Sequence, residues 1–107
     1  MTFAEFWLAY LRAHSDRRTR AAHVIGTLAG SAMVLSSIVG RKPWLLLAGI
    51  IAGYAPAWLS HALIERNKPE TFRAPLFSLG ADYVMVWHVL RGTIDAEIAT
   101  ASEGKGQ

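Results

Sequence analysis

Residues 21–64 read AAHVIGTLAGSAMVLSSIVG, RKP and WLLLAGIIAGYAPAWLSHALI in turn, and this stretch decides the fold. It holds two runs without Asp, Glu, Lys or Arg, which are 20 and 21 residues long. An α-helix of about 20 predominantly apolar residues spans the hydrocarbon core of a bilayer. Because only Arg41, Lys42 and Pro43 separate the runs, the sequence predicts a transmembrane helical hairpin.

The composition of the 107-residue chain favours a membrane protein over a soluble one. Hydrophobic residues make up 52% of the chain and charged residues only 18%, whereas about a quarter of a soluble domain is charged. The two runs could also form the buried hairpin of a soluble bundle, but the rest of the chain is too short to cover two wholly apolar helices. Because cysteine is absent, disulfides, thiolate metal sites and cysteine nucleophiles are excluded.

Basic residues flank the outer ends of the two runs, and this asymmetry predicts an orientation. Seven of them would lie on one side of the membrane, against Arg41 and Lys42 on the other. The positive-inside rule then places the amino terminus in the cytoplasm, at what we interpret as a bacterial cytoplasmic membrane. Since no nucleic-acid-binding motif is present, the net charge of +3 reflects topology, and we expect no nucleic-acid partner. The seven are Arg12, Arg17, Arg18, Arg20, Arg66, Lys68 and Arg73.

The remaining segments complete an all-α integral membrane helical bundle, which we interpret as a single domain over residues 1–98. Aromatic residues at helical spacing predict an amphipathic first helix in the membrane interface. The last helix is too short for a full span, so it either enters the membrane partially or packs on the hairpin. The predicted boundaries are 2–14 for the interfacial helix, 17–40 and 43–66 for the spans, 76–92 for the third membrane-associated helix, and 99–107 for a disordered tail.

Two rows of small residues predict how the hairpin packs. Gly26 and Gly30 follow His23 along one helix face, and a second row that includes Gly53 precedes His61. Small residues let helices approach closely in lipid, so the two rows turn both histidines toward one interface. A turn centred near residue 42 pairs residues whose numbers sum to about 84, which places the two histidines at the same depth near the basic side.

Four ionisable residues converge in this prediction and form a candidate metal site. Glu65 follows His61 by four residues on the same helix face, and His14 extends the first helix toward His23. An imidazole and a carboxylate at this spacing can bind one cation together. The donor set lacks sulfur and suits Zn, Mn or Fe(II), and with open positions it is typical of non-haem Fe(II) oxygenases.

Three further residues are candidates for supporting roles. Arg20 shares a helix face with His23 and either pairs with a substrate carboxylate or anchors the helix at the membrane surface. Asp82 is either a further ligand or a partner that orients a histidine. His88 lies in a separate segment next to Trp87, and we interpret it as an interfacial side chain.

A set of motifs runs through nearly the whole chain, up to about Gly92. Its members are YLRAH at 10–14, RAAHVIGT at 20–27, GYAPAWLSH at 53–61, ERNKP at 65–69, TF at 71–72, and Pro75, Ser78, Leu79 and Asp82. This set, which pairs H-x8-H with H-x3-E-x-N-x-P, resembles the Mpo-type family, a small membrane domain long of unknown function.

The resemblance implies an enzyme of lipid metabolism. It implies an Fe(II)-dependent dioxygenase that shortens long-chain 2-hydroxy fatty acids by one carbon, in fatty acid α-oxidation. The expected partners are the lipid bilayer, a long-chain 2-hydroxy fatty acid and dioxygen, and small-residue surface remains that a homo-oligomer could share. The family's motif places catalytic metal ligands at His14, His23 and His61 with Glu65 at the matching acidic position, and Asn67 and Asp82 are expected to orient them.

Two other functions fit the same residues. The first is a non-catalytic membrane scaffold whose histidines pack or form hydrogen bonds between helices. The second is a zinc-dependent lipid hydrolase, which would need no dioxygen.

Overall fold

The hairpin consists of α2, Arg17–Val39, and α3, Pro43–Ser60, in a computed structural model that describes residues 1–105. The Asp16 carboxylate caps α2 by accepting a hydrogen bond from the backbone N–H of Arg18 at 2.8 Å. Gly40 ends the helix, Arg41 turns the chain in the left-handed conformation (φ 52°), and Pro43 begins α3. Proline suits this first position because its missing N–H would have no partner there.

The two helices of the hairpin are in backbone contact through their glycines. A Cβ atom on Gly30 would lie 2.7 Å from the carbonyl oxygen of Gly49, and one on Gly26 would lie 2.9 Å from that of Gly53. The residue numbers in each of these pairs sum to 79. We predicted that the numbers of paired residues would sum to about 84, so the predicted register of the hairpin is wrong by five residues. The predicted small-residue packing, in contrast, is what holds α2 against α3.

The other helices form a second layer that we call the cap, which consists of α1, Phe3–Arg12, α4, Pro75–Arg91, and α5, Ile94–Lys105. A π-helical turn, His61–Glu65, ends α3, and a short 3₁₀ turn, Glu70–Phe72, leads into α4. Thr2 and Glu5 cap α1 reciprocally, each side chain meeting the other's backbone N–H. The main cluster of buried hydrophobic residues lies in the cap and consists of Phe6, Tyr10, Leu11, Ala81, Met85, Ile94 and Ala101.

The all-α prediction is confirmed, since residues 1–105 contain helices and no strand. The tail differs from its prediction, because α5 continues as a helix through Lys105 where we expected disorder from Ala99. Ala101 is buried against the core, and its carbonyl accepts a hydrogen bond from Arg12 Nε at 3.2 Å, which ties α5 to α1. The last two residues of the predicted tail lie outside the described part of the chain.

Within residues 1–105, two helices are long and apolar enough to cross a membrane, Arg17–Val39 and Pro43–Glu65. Only 22% of the most apolar window of each is buried inside the chain. Core helices of soluble proteins are mostly buried, so these two leave most of their apolar surface without a protein cover.

Candidate metal centre

Three histidines converge where the cap meets the hairpin. Nε2 of His14 lies 3.0 Å from Nε2 of His23 and 3.0 Å from Nε2 of His61. All three side chains are buried, and their potential ligand atoms lie within 4.8 Å of one another. This group can hold a metal ion, and it is assembled from three different segments of the chain.

The directions of the side chains explain why His23 meets His61 although the backbone register separates them. In the glycine register, His23 would face residue 56, five positions before His61. Helix side chains lean toward the amino terminus of their own helix. Because α2 and α3 run in opposite directions, the two imidazoles lean toward each other, and their ring centroids lie 5.1 Å apart.

His14 reaches the site from the linker that follows α1. Its ring stacks on the ring of Tyr10 with a centroid distance of 4.0 Å. It meets the rings of His23 and His61 edge to face, at 4.4 Å and 4.5 Å. His14 therefore lies between the two histidines of the hairpin and joins the cap to it.

Each histidine has an oxygen atom behind its Nδ1. The Tyr10 carbonyl lies 2.6 Å from Nδ1 of His14, and the Thr19 carbonyl lies 2.8 Å from Nδ1 of His23. For His61 the acceptor is Oδ1 of the Asn67 side chain, at 2.6 Å. The Asn67 amide is oriented by its own N–H donor, which contacts the Ala13 carbonyl at 3.2 Å.

These contacts fix the protonation of the three rings. A carbonyl oxygen only accepts, so each Nδ1 must carry the proton and donate it. In the neutral imidazole the opposite Nε2 is then a lone pair, and three such lone pairs face one another. A cation at their centre satisfies all three at once, and acceptors behind the ligands are typical of metal-binding histidines. The residues therefore fit a divalent metal.

A proton is a poor substitute for that cation at His14. Burial, reinforced by the neighbouring His23, lowers the pKa of His14 well below the usual value. The imidazole consequently stays neutral at physiological pH and keeps its Nε2 lone pair.

Glu65, which the sequence predicts as a fourth ligand, contacts the linker that carries His14. Its Oε1 accepts from the backbone N–H of Asp16 at 2.7 Å, and its Oε2 accepts from Ser15 Oγ at 3.2 Å. Among the described residues, the group of metal-ligand atoms contains the three histidines without it. The structure thus brings Glu65 to the edge of the site rather than to its centre.

Arg20 also supports the linker. The side chain is buried, and Nη1 donates to the carbonyls of His14 at 2.9 Å and Ser15 at 2.8 Å. Its Nη2 lies 3.7 Å from the Asp95 carboxylate. The Arg20 guanidinium, which we expected to pair with a substrate carboxylate or to anchor the helix, is occupied by these contacts within the protein.

Asp82 lies behind the site and reaches it through Tyr10. The phenol of Tyr10 donates to Asp82 Oδ1 at 2.5 Å. The ring of Tyr10 stacks on His14, and its backbone carbonyl contacts His14 Nδ1. Burial, together with the Asp82 charge, raises the pKa of Tyr10 well above the usual value, so the phenol keeps its proton.

Sequence reasoning missed Tyr10 and Thr19 as partners of the histidines. A signal existed, because each stands four residues before its histidine, where a helix aligns a carbonyl with the later side chain. His88 is separate from the site, as expected. Its Nδ1 lies 2.7 Å from Thr93 Oγ1, and its ring stacks on Trp7.

The model of a family described as 2-hydroxy-palmitic acid dioxygenase Mpo1-like matches residues 1–94, which include all three histidines. No curated protein and no solved structure matches the chain. Because the match covers most of the 107 residues, the chain belongs to the Mpo1-like family.

Proposed function

We propose that this protein is a membrane-embedded, Fe(II)-dependent dioxygenase that shortens long-chain 2-hydroxy fatty acids by one carbon. The observation that carries the proposal is the convergence of three Nε2 lone pairs, each with an acceptor behind its Nδ1. Membership of a family described by a 2-hydroxy-palmitic acid dioxygenase supports the substrate class.

Exposed apolar side chains support the membrane setting. Many large hydrophobic residues of α2 and α3 are exposed, and contact of such a surface with water would be unfavourable. Basic residues lie at the end of the hairpin that carries the histidines, so the positive-inside rule puts the site at the cytoplasmic face. The exposed residues include Ile25, Leu28, Leu35, Ile38, Leu47, Ile51, Leu59 and Leu63.

The donor set and the family together support iron. Three imidazoles without sulfur suit Zn, Mn or Fe(II). The family is described by a dioxygenase, and of these metals Fe(II) is the one typical of non-haem oxygenases. A metal held by three protein ligands would keep positions for a chelating substrate and dioxygen.

The chemistry combines one 2-hydroxy acid with one dioxygen. The bond between C1 and C2 breaks, and the products are the fatty acid one carbon shorter, carbon dioxide and water. Bound Fe(II) would supply the electrons that activate dioxygen for this cleavage. His14, His23 and His61 would hold the ion, and the acceptors behind them would fix the ring orientations.

For the surrounding residues we propose positioning roles. Glu65 and Arg20 hold the linker that carries His14, through its backbone N–H and carbonyl groups. Asn67 orients His61, and Asp82 acts on His14 through Tyr10. For Glu65 and Arg20 these contacts lead us to replace the ligand and substrate-binding roles expected from the sequence.

Metal content is the decisive measurement. We expect wild-type protein, purified anaerobically in detergent and reconstituted with Fe(II), to hold near-stoichiometric iron by mass spectrometry. His61→Ala should lose it, because an isolated pair of imidazoles binds far more weakly. His88→Ala is the matched control and should retain iron, since His88 contacts Thr93 and Glu97 in the cap.

Turnover separates the alternatives. Iron-loaded protein should convert 2-hydroxyhexadecanoic acid to pentadecanoic acid only when dioxygen is present. If the protein holds no metal after reconstitution, the dioxygenase is rejected in favour of the non-catalytic scaffold, in which the histidines only pack. Lipid hydrolysis that persists with zinc under anaerobic conditions would replace the oxygenase by a hydrolase.

A further inference from the structure

An apolar groove runs along α2, between α3 on one side and α4 on the other. It has a volume of about 440 Å³. The groove exists because α4 packs on α2 and hardly touches α3. From the histidine end toward the hairpin turn, α2 contributes Gly26, Thr27, Gly30, Ser31, Val34, Leu35 and Ile38 to its floor.

One end of this groove adjoins the metal centre. Gly26 lies one helical turn beyond His23 on the same side of α2. Asp82 lines the groove and also accepts the hydrogen bond from Tyr10, whose ring stacks on His14. Polar side chains such as Thr27, Ser31 and Asp82 line the half of the groove nearer the site, whereas the end near Ile38 is apolar.

The dimensions of the groove match an extended alkyl chain. From Gly26 to Ile38 it follows twelve residues of helix, or about 18 Å. A zigzag chain with bonds of about 1.5 Å advances about 1.25 Å per carbon, so about 14 carbons fit along it. The volume gives a similar answer, because at about 30 Å³ per heavy atom, the share of a liquid water molecule, 440 Å³ holds about 15 atoms.

We propose that this groove binds the alkyl tail of the 2-hydroxy fatty acid, and that its length sets the preferred chain length. The proposal rests on the function proposed above. The head group lies at the histidines, near the membrane surface, and the tail follows α2 toward the bilayer centre, which is the orientation of an amphiphile in a leaflet. Leu35 and Ile38 line the far end, where they would contact the last carbons of the tail.

A helix from a second copy of the chain is too large for the same groove. Even a narrow helical cylinder, about 10 Å across and 18 Å long, occupies about 1,400 Å³. The glycines that would attract such a helix are already in contact across the hairpin, as with Gly30 and Gly49. An alkyl chain is therefore the better occupant.

Two substitutions should shorten the preferred chain in a graded order. Leu35→Trp obstructs the groove about 13 Å beyond Gly26, which leaves room for about 11 carbons. Ile50→Trp obstructs it from α3 beside Gly30, which leaves about 5. Leu47→Trp is the matched control, because Leu47 is 63% exposed against 62% for Leu35 and does not line the groove.

The assay uses iron-loaded protein in lipid nanodiscs and a series of 2-hydroxy acids from octanoic to eicosanoic. We expect Leu35→Trp to lower the turnover of the hexadecanoic relative to the decanoic acid by about tenfold, the discrimination of a pocket that must overpack. Ile50→Trp should extend this loss to the decanoic acid, and Leu47→Trp should keep the wild-type profile. An unchanged profile in both groove variants would overturn the proposal.

Photo-crosslinking tests the groove without turnover. The probe is 2-hydroxyhexadecanoic acid with a diazirine near the end of its tail, added to the iron-loaded protein without dioxygen. Labelling at Leu35 and Ile38 supports the groove, whereas labelling spread over lipid-facing positions such as Leu47 overturns it. Localised labelling without turnover of any acid would reject the dioxygenase and keep the groove. Turnover with spread labelling would keep the dioxygenase and reject the groove.

Discussion

The hairpin and the cap are held together by different interactions. In the hairpin, glycine backbones touch across the interface while large side chains such as Leu47 and Ile51 project outward. In the cap, large side chains point inward, and Phe6, Tyr10 and Met85 are almost completely buried. The same chain thus uses contact between backbones in one layer and contact between side chains in the other.

The membrane setting that we propose accounts for this difference. Lipid tails are as apolar as leucine, so helices in a bilayer gain little from burying apolar side chains and associate by close packing. In the same setting the cap lies at the basic end of the hairpin, where water would be present and burial of aromatic surface stabilises the fold. The candidate metal centre joins the layers, since His14 follows a cap helix and the other two histidines belong to the hairpin.

The largest effect is expected from adding a side chain at the glycine contact. Gly30→Val would place a Cβ atom 2.7 Å from a backbone oxygen that cannot move aside. Ordinary overpacking costs roughly 1–3 kcal/mol because side chains can shift, but here backbone meets backbone, so we expect the hairpin to open and the folded state to be lost. Size-exclusion chromatography and thermal unfolding in detergent should show loss of the folded protein.

Gly80→Ala is the matched control for that experiment. The nearest atom to its added Cβ is the Phe3 ring at 4.0 Å, and alanine favours a helix by about 0.5–1 kcal/mol over glycine. We expect unchanged or slightly higher stability. If Gly30→Val were as stable as Gly80→Ala, backbone contact could not be what holds the hairpin.

The sequence predicts the helices well because their ends carry strong local signals. Gly40 and Pro43 mark the hairpin turn, and Pro75 and Gly92 bound α4. The histidines could also be grouped, since rows of small residues indicate which faces meet. These signals are local or periodic, so one sequence suffices to see them.

The parts that escaped prediction depend on geometry over longer distances. The register of the hairpin is set by which glycines of α2 contact which glycines of α3. Counting residues outward from the turn does not give that pairing. Glu65 was expected at the metal because it shares a helix face with His61, but the π-helical turn alters that face, and the carboxylate meets Asp16. The helix beyond Ala99 is stabilised by contacts of Ala101 with the core and with Arg12 of α1, and these partners are distant in the sequence.

A smaller effect is expected from removing a side chain from the cap core. Phe6→Ala deletes a fully buried ring that contacts Tyr10 and Phe77, which should cost about 3–5 kcal/mol. Hydrogen exchange should accelerate in α1 and α5 and remain slow in α2 and α3. Phe72→Ala is the control, because Phe72 is exposed and should exchange as in the wild type. Equal acceleration in both layers would show that they unfold as one unit.

The smallest of these effects is expected at the junction of the layers, where Asn67 joins His61 of the hairpin to Ala13 of the linker. Asn67→Ala removes the acceptor behind Nδ1, so the imidazole can rotate and its tautomer is no longer fixed. We expect iron affinity to fall about 10–100-fold while thermal stability changes little.

Asn67→Asp distinguishes orientation of the ligand from support of the linker. A carboxylate still accepts the proton of His61 Nδ1, but it cannot donate to the Ala13 carbonyl. If Asn67 acts by orienting His61, iron affinity in the aspartate variant should return to within a few-fold of wild type, because a carboxylate behind a histidine raises its basicity as a ligand. If the aspartate variant binds iron as weakly as the alanine variant, Asn67 supports iron binding through its hydrogen bond to the Ala13 carbonyl of the linker and not by orienting His61.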